Sequence, residues 1–577
     1  MNEAKDPLFR IAILGGGPSG LFMYKRLVES GRKDFDITVF EATGHLGEGF
    51  PYSEEGANPE HITNVSGNEI PDIVLPISEW IKMVPEQHVK HFGIGGDNFN
   101  DYKVLPRLLF GKYLAAQFDL LYARANQAGM QTTIRYNSMV TDIRDNAKTD
   151  VVTVEINGTD EYEYDNVIVC TGHHWPVSKE GSVPGYFDSP YPPKKLMQPF
   201  NHPVAIRGAS LTAIDAIRTL ARQHGKFIQK DSSDKKIVYT LNEDVNNFKI
   251  VMHSRNGMLP AVRFHLEDSH LSKNKLLTKE EIDAHMKGND GFLSLDFIFE
   301  KDFKEPLRQK DPVLYAQIKD MRMEEFVTAM LGVRERIDAF DLFKGEYAEA
   351  AQSIRRKESV HWKEALAILS FAMNYPAKHL SAEDMLRLQQ SLMPLISLVI
   401  AFVPQSSVEE LIALHDAGLV SLLDVGEDSK VVANLQGGIM YHHTGENGKE
   451  TATPYETYID CVGQPHLPLH AFPFKSLVKS GTVSAARLKF RSADQARALS
   501  AEGKDGISTA NGMDYYLAVP GVAINDHFQA IDNYGASTGR IYIMAVPYIG
   551  GFNPDYSGLD FCEAASKIIA ESINHNI

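Results

Sequence analysis

The stretch Phe9-Arg10-Ile11-Ala12-Ile13-Leu14-Gly15-Gly16-Gly17-Pro18-Ser19-Gly20 decides the fold. Phe9 to Leu14 is an apolar run of strand length; the helical pattern Leu21 to Ser30 follows the glycines, and Gly31 supplies its stop. A second apolar run, Ile37 to Phe40, ends at the acid Glu41. In Gly15-x-Gly17-x-x-Gly20 the first glycine permits a tight turn, the second lets the backbone approach a pyrophosphate, and the third lets helix and strand pack closely. The helix N terminus offers unbonded N–H groups and a positive dipole end to phosphate oxygens. Glu41, 21 residues after Gly20, stands where a carboxylate accepts hydrogen bonds from ribose hydroxyls. Strand, turn, helix and acid together predict a dinucleotide-binding unit, with a ligand-free glycine turn as the alternative.

A weaker copy begins at Pro203. Val204-Ala205-Ile206 lead into Gly208-Ala209-Ser210 and the helical pattern Leu211 to Arg222, closed by Gly225, and the strand Phe248 to His253 ends in Ser254-Arg255-Asn256-Gly257. The polar segment Lys230 to Lys236 between them reads as a loop or hairpin. Of the three glycines, Gly208-x-Ser210-x-x-Ala213 keeps the first. An arginine beside a serine at a strand end suits a 2'-phosphate, so Gly208, Ser210, Thr212, Ser254 and Arg255 are the expected NADPH residues, with NADH second. Arg255 lies 47 residues after Gly208, where the usual spacing is about 20, so the intervening hairpin must be looped out. A vestigial fold that has lost its ligand is the alternative here.

From about Lys273 to Leu423 the chain changes to long helical patterns, Glu324 to Ala339, Glu346 to Phe371 and Ala382 to Phe402. Strand and turn character returns at Lys430 to Val462. The chain closes with the strand Ile541 to Val546, the turn Gly550-Gly551 and a helix from about Ser557 to Ile573. The expected class is α/β, with two Rossmann-like dinucleotide-binding domains and a helical insertion. The first domain would take residues 1–200 and 466–577, the second 201–272 and 424–465, and the insertion 273–423.

Several further segments carry a resemblance: Gly47-Glu48-Gly49-Phe50-Pro51-Tyr52-Ser53, His61-Ile62-Thr63-Asn64, Pro106 to Leu114, Val167-Ile168-Val169-Cys170-Thr171-Gly172, His253 to Pro260, and Asp460-Cys461-Val462-Gly463. With the N-terminal unit they resemble bacterial FAD/NAD(P)-binding proteins with two nucleotide folds. They are distantly similar to flavin-dependent N-hydroxylases and Baeyer-Villiger monooxygenases. The resemblance covers most of the chain outside the helical insertion. It implies FAD on Gly15, Gly17, Pro18, Ser19, Gly20 and Glu41, with Val140, Thr171 and Gly172 beside it. Arg107 would meet a phosphate or ribose, or else form a surface ion pair. Gly550 and Gly551 resemble the C-terminal turn that brings backbone N–H groups to the isoalloxazine edge. Gly551 is followed by Phe552, where many relatives have a Gly-Asp pair. Tyr52 and Asn64 would lie near the flavin or serve in packing, and His173 and His174 would place an imidazole near the ring or lie in an exposed loop. These four are the weak catalytic candidates.

Composition narrows the function classes. The 577 residues carry a formal net charge of -17, which opposes a broad footprint on nucleic acid or anionic membrane. The three cysteines, Cys170, Cys461 and Cys562, lie far apart and supply no Cys-x-x-Cys pair, so electrons must leave a flavin by another route. Met1 to Arg10 has no signal-peptide core, and the longest apolar stretch, Leu392 to Val403, is too short to cross a bilayer. The 21 histidines show no ligand spacing, and His442-His443 would face opposite sides of a strand, so no metal is expected. Neither a phosphate loop of kinase type nor a nucleophile elbow is present. The expectation is a soluble, cytoplasmic, FAD-dependent NAD(P)H oxidoreductase. A monooxygenase acting on a small organic substrate, an amine among the candidates, leads, and a homodimer is compatible with it. A reductase or dehydrogenase serving a quinone or protein, and a non-catalytic flavin-binding regulator whose insertion docks a partner, are the alternatives. The insertion could equally cap an active site.

Overall fold

Phe9–Leu14 form β1, the strand around which the first sheet is built, in a computed structural model that describes residues 8–94, 99–229, 236–267, 277–445, 448–554 and 558–575. Helix α1 (Pro18–Glu29) follows the glycine turn, and β2 (Phe35–Phe40) returns parallel to β1. The long helix α2 (Arg107–Ala128) leads to β3 (Gln131–Arg135), and β4 (Asn166–Val169) pairs with β1 on its other side. The second unit comprises β5 (Tyr186–Phe187), β6 (Pro203–Arg207), α3 (Leu211–His224), β7 (Lys249–Ser254), β8 (Val420–Asp424) and β9 (Thr457–Asp460). The chain then returns to the first sheet with β10 (Gln529–Ile531) and β11 (Ser537–Ile543).

Among the described residues the first sheet runs β10-β11-β4-β1-β2-β3 and the second β5-β9-β6-β7-β8. All pairings are parallel except β10 with β11. Parallel strands covered on both faces need apolar side chains throughout, which explains the wholly buried Ile11 to Leu14 and Val204 to Ile206. On the first unit Tyr24 of α1 stacks on Phe118 of α2, ring centroids 5.1 Å apart. The two-dinucleotide-unit α/β class is the one observed. The second sheet nevertheless reaches past the expected ranges 201–272 and 424–465, because it takes β5 from residues 186–187 and β8 from 420–424. The hairpin expected between α3 and β7 is present as strands Gly225–Gln229 and Ile237–Leu241, paired with each other and outside the main sheet. Its turn, residues 230–235, lies outside the described residues, as do 1–7, the start of the insertion at 268–276, and 555–557 ahead of the last helix.

The helical region is real but more broken than periodicity suggests. Met323–Glu335 forms one helix, and the pattern Glu346 to Phe371 divides into α4 (Ala339–Arg356) and α5 (His361–Met373). Lys357, left-handed at φ 55°, ends α4, and the N–H of Glu358 returns to Ser353 O at 3.1 Å. Ala382 to Phe402 breaks at a π-helical turn, Leu388–Leu392, ahead of Pro394. α6 (Gln405–Asp416) leads back into β8, and α7 (Gly558–His575) packs on the first unit. No helix among the described residues is long and apolar enough to cross a membrane.

Candidate functional site between the two nucleotide units

The two units carry the same turn chemistry at the carboxyl ends of their sheets. Gly15 has φ +112°, its N–H donates to Phe40 O at 2.8 Å, and a Cβ there would sit 2.6 Å from Cys170 O. Gly208 has φ +107°, donates to His253 O at 2.8 Å, and a Cβ would sit 2.8 Å from Cys461 O. Both positions demand the missing side chain, for the backbone angle and for the neighbouring strand alike. Gly20 packs so tightly that a Cβ would lie 2.0 Å from Gly15 O, while the second unit carries Ala213 at the matching place. Gly17 lies against Gly49, its virtual Cβ 3.2 Å from the Gly49 Cα.

Helix α1 opens with Gly17 as N-cap and Pro18 in its first turn, with no side-chain cap and no acid there. The Ser19 hydroxyl lies 3.5 Å from Cys562 Sγ of α7. Glu41 Oε2 accepts from Gly16 N at 2.9 Å, and Oε1 from both N and Oγ1 of Thr43 at 2.8 Å. Thr171 Oγ1 is buried with no partner among the described residues, and a Cβ on Gly172 would meet open space. Val140 begins the strand Val140–Asn146 of a separate antiparallel sheet and is half-buried.

The loops that leave β4 and β9 meet across the gap between the units. Gln464 Nε2 donates to His174 O at 2.7 Å and Pro465 O at 3.0 Å; its Oε1 accepts from His174 N at 2.8 Å and faces His173 Nδ1 at 3.2 Å. The His173 ring stacks on Trp175, centroids 5.5 Å apart, and Trp175 lies 5.3 Å from Tyr191 and 6.2 Å from Phe50. His173 and His466 are both reached by solvent, yet protein surrounds them closely enough that desolvation lowers both pKa values. Tyr52 packs edge-on against Phe110 at 4.9 Å, and burial raises its pKa. The Asn64 carbonyl accepts from Arg263, which places Asn64 against the segment that follows β7.

Several of the expected site residues already have protein partners. Arg107 is partly exposed: its Nη1 pairs with Asp215 Oδ2 of α3 at 2.7 Å, and Tyr191 Oη donates to the same oxygen at 2.5 Å. Burial alone would push the Asp215 carboxyl up, but Arg107, His61, the Tyr191 hydroxyl and Arg218 together more than offset it and hold the group below the usual range. Gly551 cannot offer its N–H to a ring edge, since that N–H donates to Pro520 O at 2.9 Å; a Cβ on Gly550 would strike the His466 ring at 2.3 Å. Arg255 is highly exposed, and its Nη1 lies 3.3 Å from Glu427 Oε2. Ser254 Oγ donates to Asn256 Oδ1 at 2.8 Å, and Ser210 is the N-cap of α3 without a side-chain bond. Thr212 Oγ1 faces the Gly463 turn, 3.8 Å from the position of a Cβ there. The sequence reading missed Asp215, Tyr191, Gln464 and His466; the last two follow directly on Asp460 to Gly463, a segment already singled out.

Comparison with known proteins agrees with this geometry. Residues 12–174 match the family described as FAD-NAD(P)-binding, and residues 278–400 the YdhS-like middle domain. Residues 12–174 thus carry the similarity to an FAD-NAD(P)-binding domain. The chain is 28% identical over 474 residues to the uncharacterized protein YdhS of Escherichia coli (strain K12), covering 81% of this chain and 85% of that one. It also aligns with the L-lysine 6-monooxygenase of Pseudomonas syringae (10% identity, 98% and 99% coverage, TM-score 0.47). A further alignment is with the bacillithiol disulfide reductase Bdr (YpdA) of Staphylococcus aureus (11% identity, 99% of both chains, TM-score 0.42).

The residues present at 12–174 fit an FAD. The glycine cradle leaves room that any Cβ would fill, the helix end has no acid to repel phosphate, and the orphaned Thr171 hydroxyl awaits a partner. The cysteines fit no redox relay, because burial raises the Cys170 and Cys461 thiols well above their ordinary value and Cys562 to about 12. Among the described residues no group of histidine, cysteine and carboxylate side chains could hold a metal ion. A cavity of about 1340 Å³ opens at the amino ends of β1 and β2, lined by Arg10, Asp36, Asp165, His527, Arg540 and His575. It lies at the far end of the first sheet from the glycine turns.

Proposed function

We propose that the chain is an FAD-dependent, NAD(P)H-using oxidoreductase and, in its finer activity, a monooxygenase of a small organic substrate. Gly15, Gly17, Pro18, Ser19, Gly20, Glu41, Thr171 and Gly172 would hold FAD, whose ring when bound accepts a hydride and passes electrons onward. The second unit, through Gly208, Ser210 and Thr212, would hold the nicotinamide nucleotide. One observation carries this reading: two nucleotide turns of like geometry stand at the carboxyl ends of the two sheets, and Gln464, in the loop after β9, bonds His174 in the loop after β4. Trp175, with Tyr191 and Phe50 beside it, would present an aromatic wall to a ligand held between the two turns. The buried, protonated thiols disfavour dithiol chemistry and leave a diffusible acceptor such as dioxygen or a quinone.

Anaerobic stopped-flow mixing of the flavin-loaded protein with NADPH and with NADH tests the reading: bleaching of the flavin absorbance is expected. Product analysis in air then separates hydroxylation from simple acceptor reduction. A flavin that stays oxidised with both nucleotides would overturn the nicotinamide part. A second reading, a flavin-binding regulator, is favoured by Ser210 and Ala213 in place of glycines and by the Arg255–Glu427 pair. It predicts bound flavin without turnover and a stable partner.

A further inference from the structure

We propose that Gln464 holds His173 in its Nδ1–H tautomer, so that the bare Nε2 of this ring is the proton acceptor offered to an N–H or O–H group of a bound substrate. The amide of Gln464 has an orientation that its neighbours dictate. Its nitrogen lies 2.7 Å from His174 O and 3.0 Å from Pro465 O, and its oxygen 2.8 Å from His174 N. Carbonyls accept and peptide N–H groups donate, so a reversed amide would oppose like to like at all three contacts. The group facing His173 Nδ1 at 3.2 Å is therefore an oxygen, which can only accept, and the proton must sit on Nδ1.

A neutral imidazole carries one proton, so Nε2 keeps its lone pair. The ring is neutral at pH 7: desolvation lowers its pKa, and Arg107 opposes the charge further. The groups that face it are Gln464 from the loop after β9, Arg107 from α2, and Trp175 from its own loop. Nε2 has no protein partner among the described residues and the side chain is open to solvent, so a ligand or water must meet it. In the transfer the substrate's N–H or O–H bond breaks, an N–H bond forms at Nε2, and no electron changes hands. The acid form is disfavoured by its surroundings, so the proton is readily returned. Gln464 acts through His173 and is a positioning residue. The substrate role rests on the oxidoreductase reading above; the tautomer does not.

The test is long-range 1H–15N correlation on the flavin-loaded protein labelled with 15N-histidine, with His173→Asn locating the signals. A pyrrole-type Nδ1 and a pyridine-type Nε2 are expected, with the acid titration appearing at Nε2 at a midpoint below the ordinary 6.5. Gln464→Met should shift the ring toward the Nε2–H tautomer. Gln464→Glu, which keeps an acceptor and adds charge, should retain Nδ1–H and move the midpoint upward. An Nε2–H tautomer in the native protein, or an unchanged tautomer in Gln464→Met, overturns the proposal. In turnover His173→Asn should cost at least about tenfold with the flavin spectrum intact, and unchanged turnover overturns the acceptor role. A native tautomer pattern beside a flavin that no nucleotide bleaches would instead count against the oxidoreductase reading.

Discussion

Gly20 shows how far single residues can carry the argument. A methyl group there would press to 2.0 Å on the Gly15 carbonyl, which cannot move without disturbing the turn. Gly20→Ala is expected to push α1 off β1, at about 1–3 kcal/mol, and to release FAD by displacing the N–H groups of the helix end. The ratio of flavin to protein absorbance after gel filtration reads the second effect. Ala213→Gly at the matching place should cost at most about 1 kcal/mol, since a methyl group is already accommodated there. Equal flavin content in Gly20→Ala and the native protein would mean that the turn does not grip the cofactor. The glycines and Glu41 were legible from sequence because their geometry is local, set by a turn and the strand beside it. Arg107 was not legible: its partner Asp215 is remote in sequence, and nothing near Arg107 announces a buried pair.

At the scale of elements, period and composition revealed the helical insertion but not where its helices break. Among the described residues two π-helical turns, Phe299–Lys304 and Leu388–Leu392, each end two positions before a proline, Pro306 and Pro394. A proline removes one helical hydrogen bond and its ring presses on the carbonyl four residues earlier, and a widened turn relieves that contact. The first of these turns also buries Asp302. Its Oδ1 accepts from Leu277 N at 3.2 Å, Oδ2 has no partner among the described residues, and burial raises its pKa to about 7. A raised value means that the folded chain holds this proton more tightly than the unfolded one. The stabilisation is full below about pH 4 and is lost as the pH rises toward about 7. Native protein should thus lose on the order of 2–4 kcal/mol from this group between pH 4 and 8, while Asp302→Asn should not. Urea unfolding at a series of pH values measures the difference, and parallel curves for the two proteins would refute it.

At the scale of the whole molecule, the two nucleotide units are joined by more than a linker. Arg107 of α2 reaches Asp215 of α3, Tyr191 donates to the same carboxylate, and His61 lies 3.0 Å from Thr219 Oγ1, which also donates to Glu60 at 2.9 Å. This junction is mostly buried, so removing one charge leaves the other stranded. Asp215→Asn should cost about 3–5 kcal/mol at the junction, whereas Arg107→Met with Asp215→Leu should cost clearly less, because neither charge then remains uncompensated. A multidomain chain need not unfold in one step, so the sensitive measurement is amide hydrogen exchange in α2 and α3. Faster exchange confined to those helices in Asp215→Asn, partly restored in the double variant, is the expected pattern. The sign with pH follows from Asp215 being held below the ordinary carboxylate range: the junction is intact at neutral pH and weakens as acid protonates that group. Exchange that is no faster in Asp215→Asn than in the native protein would show that the units are held by their apolar contacts, with the ion pair contributing nothing.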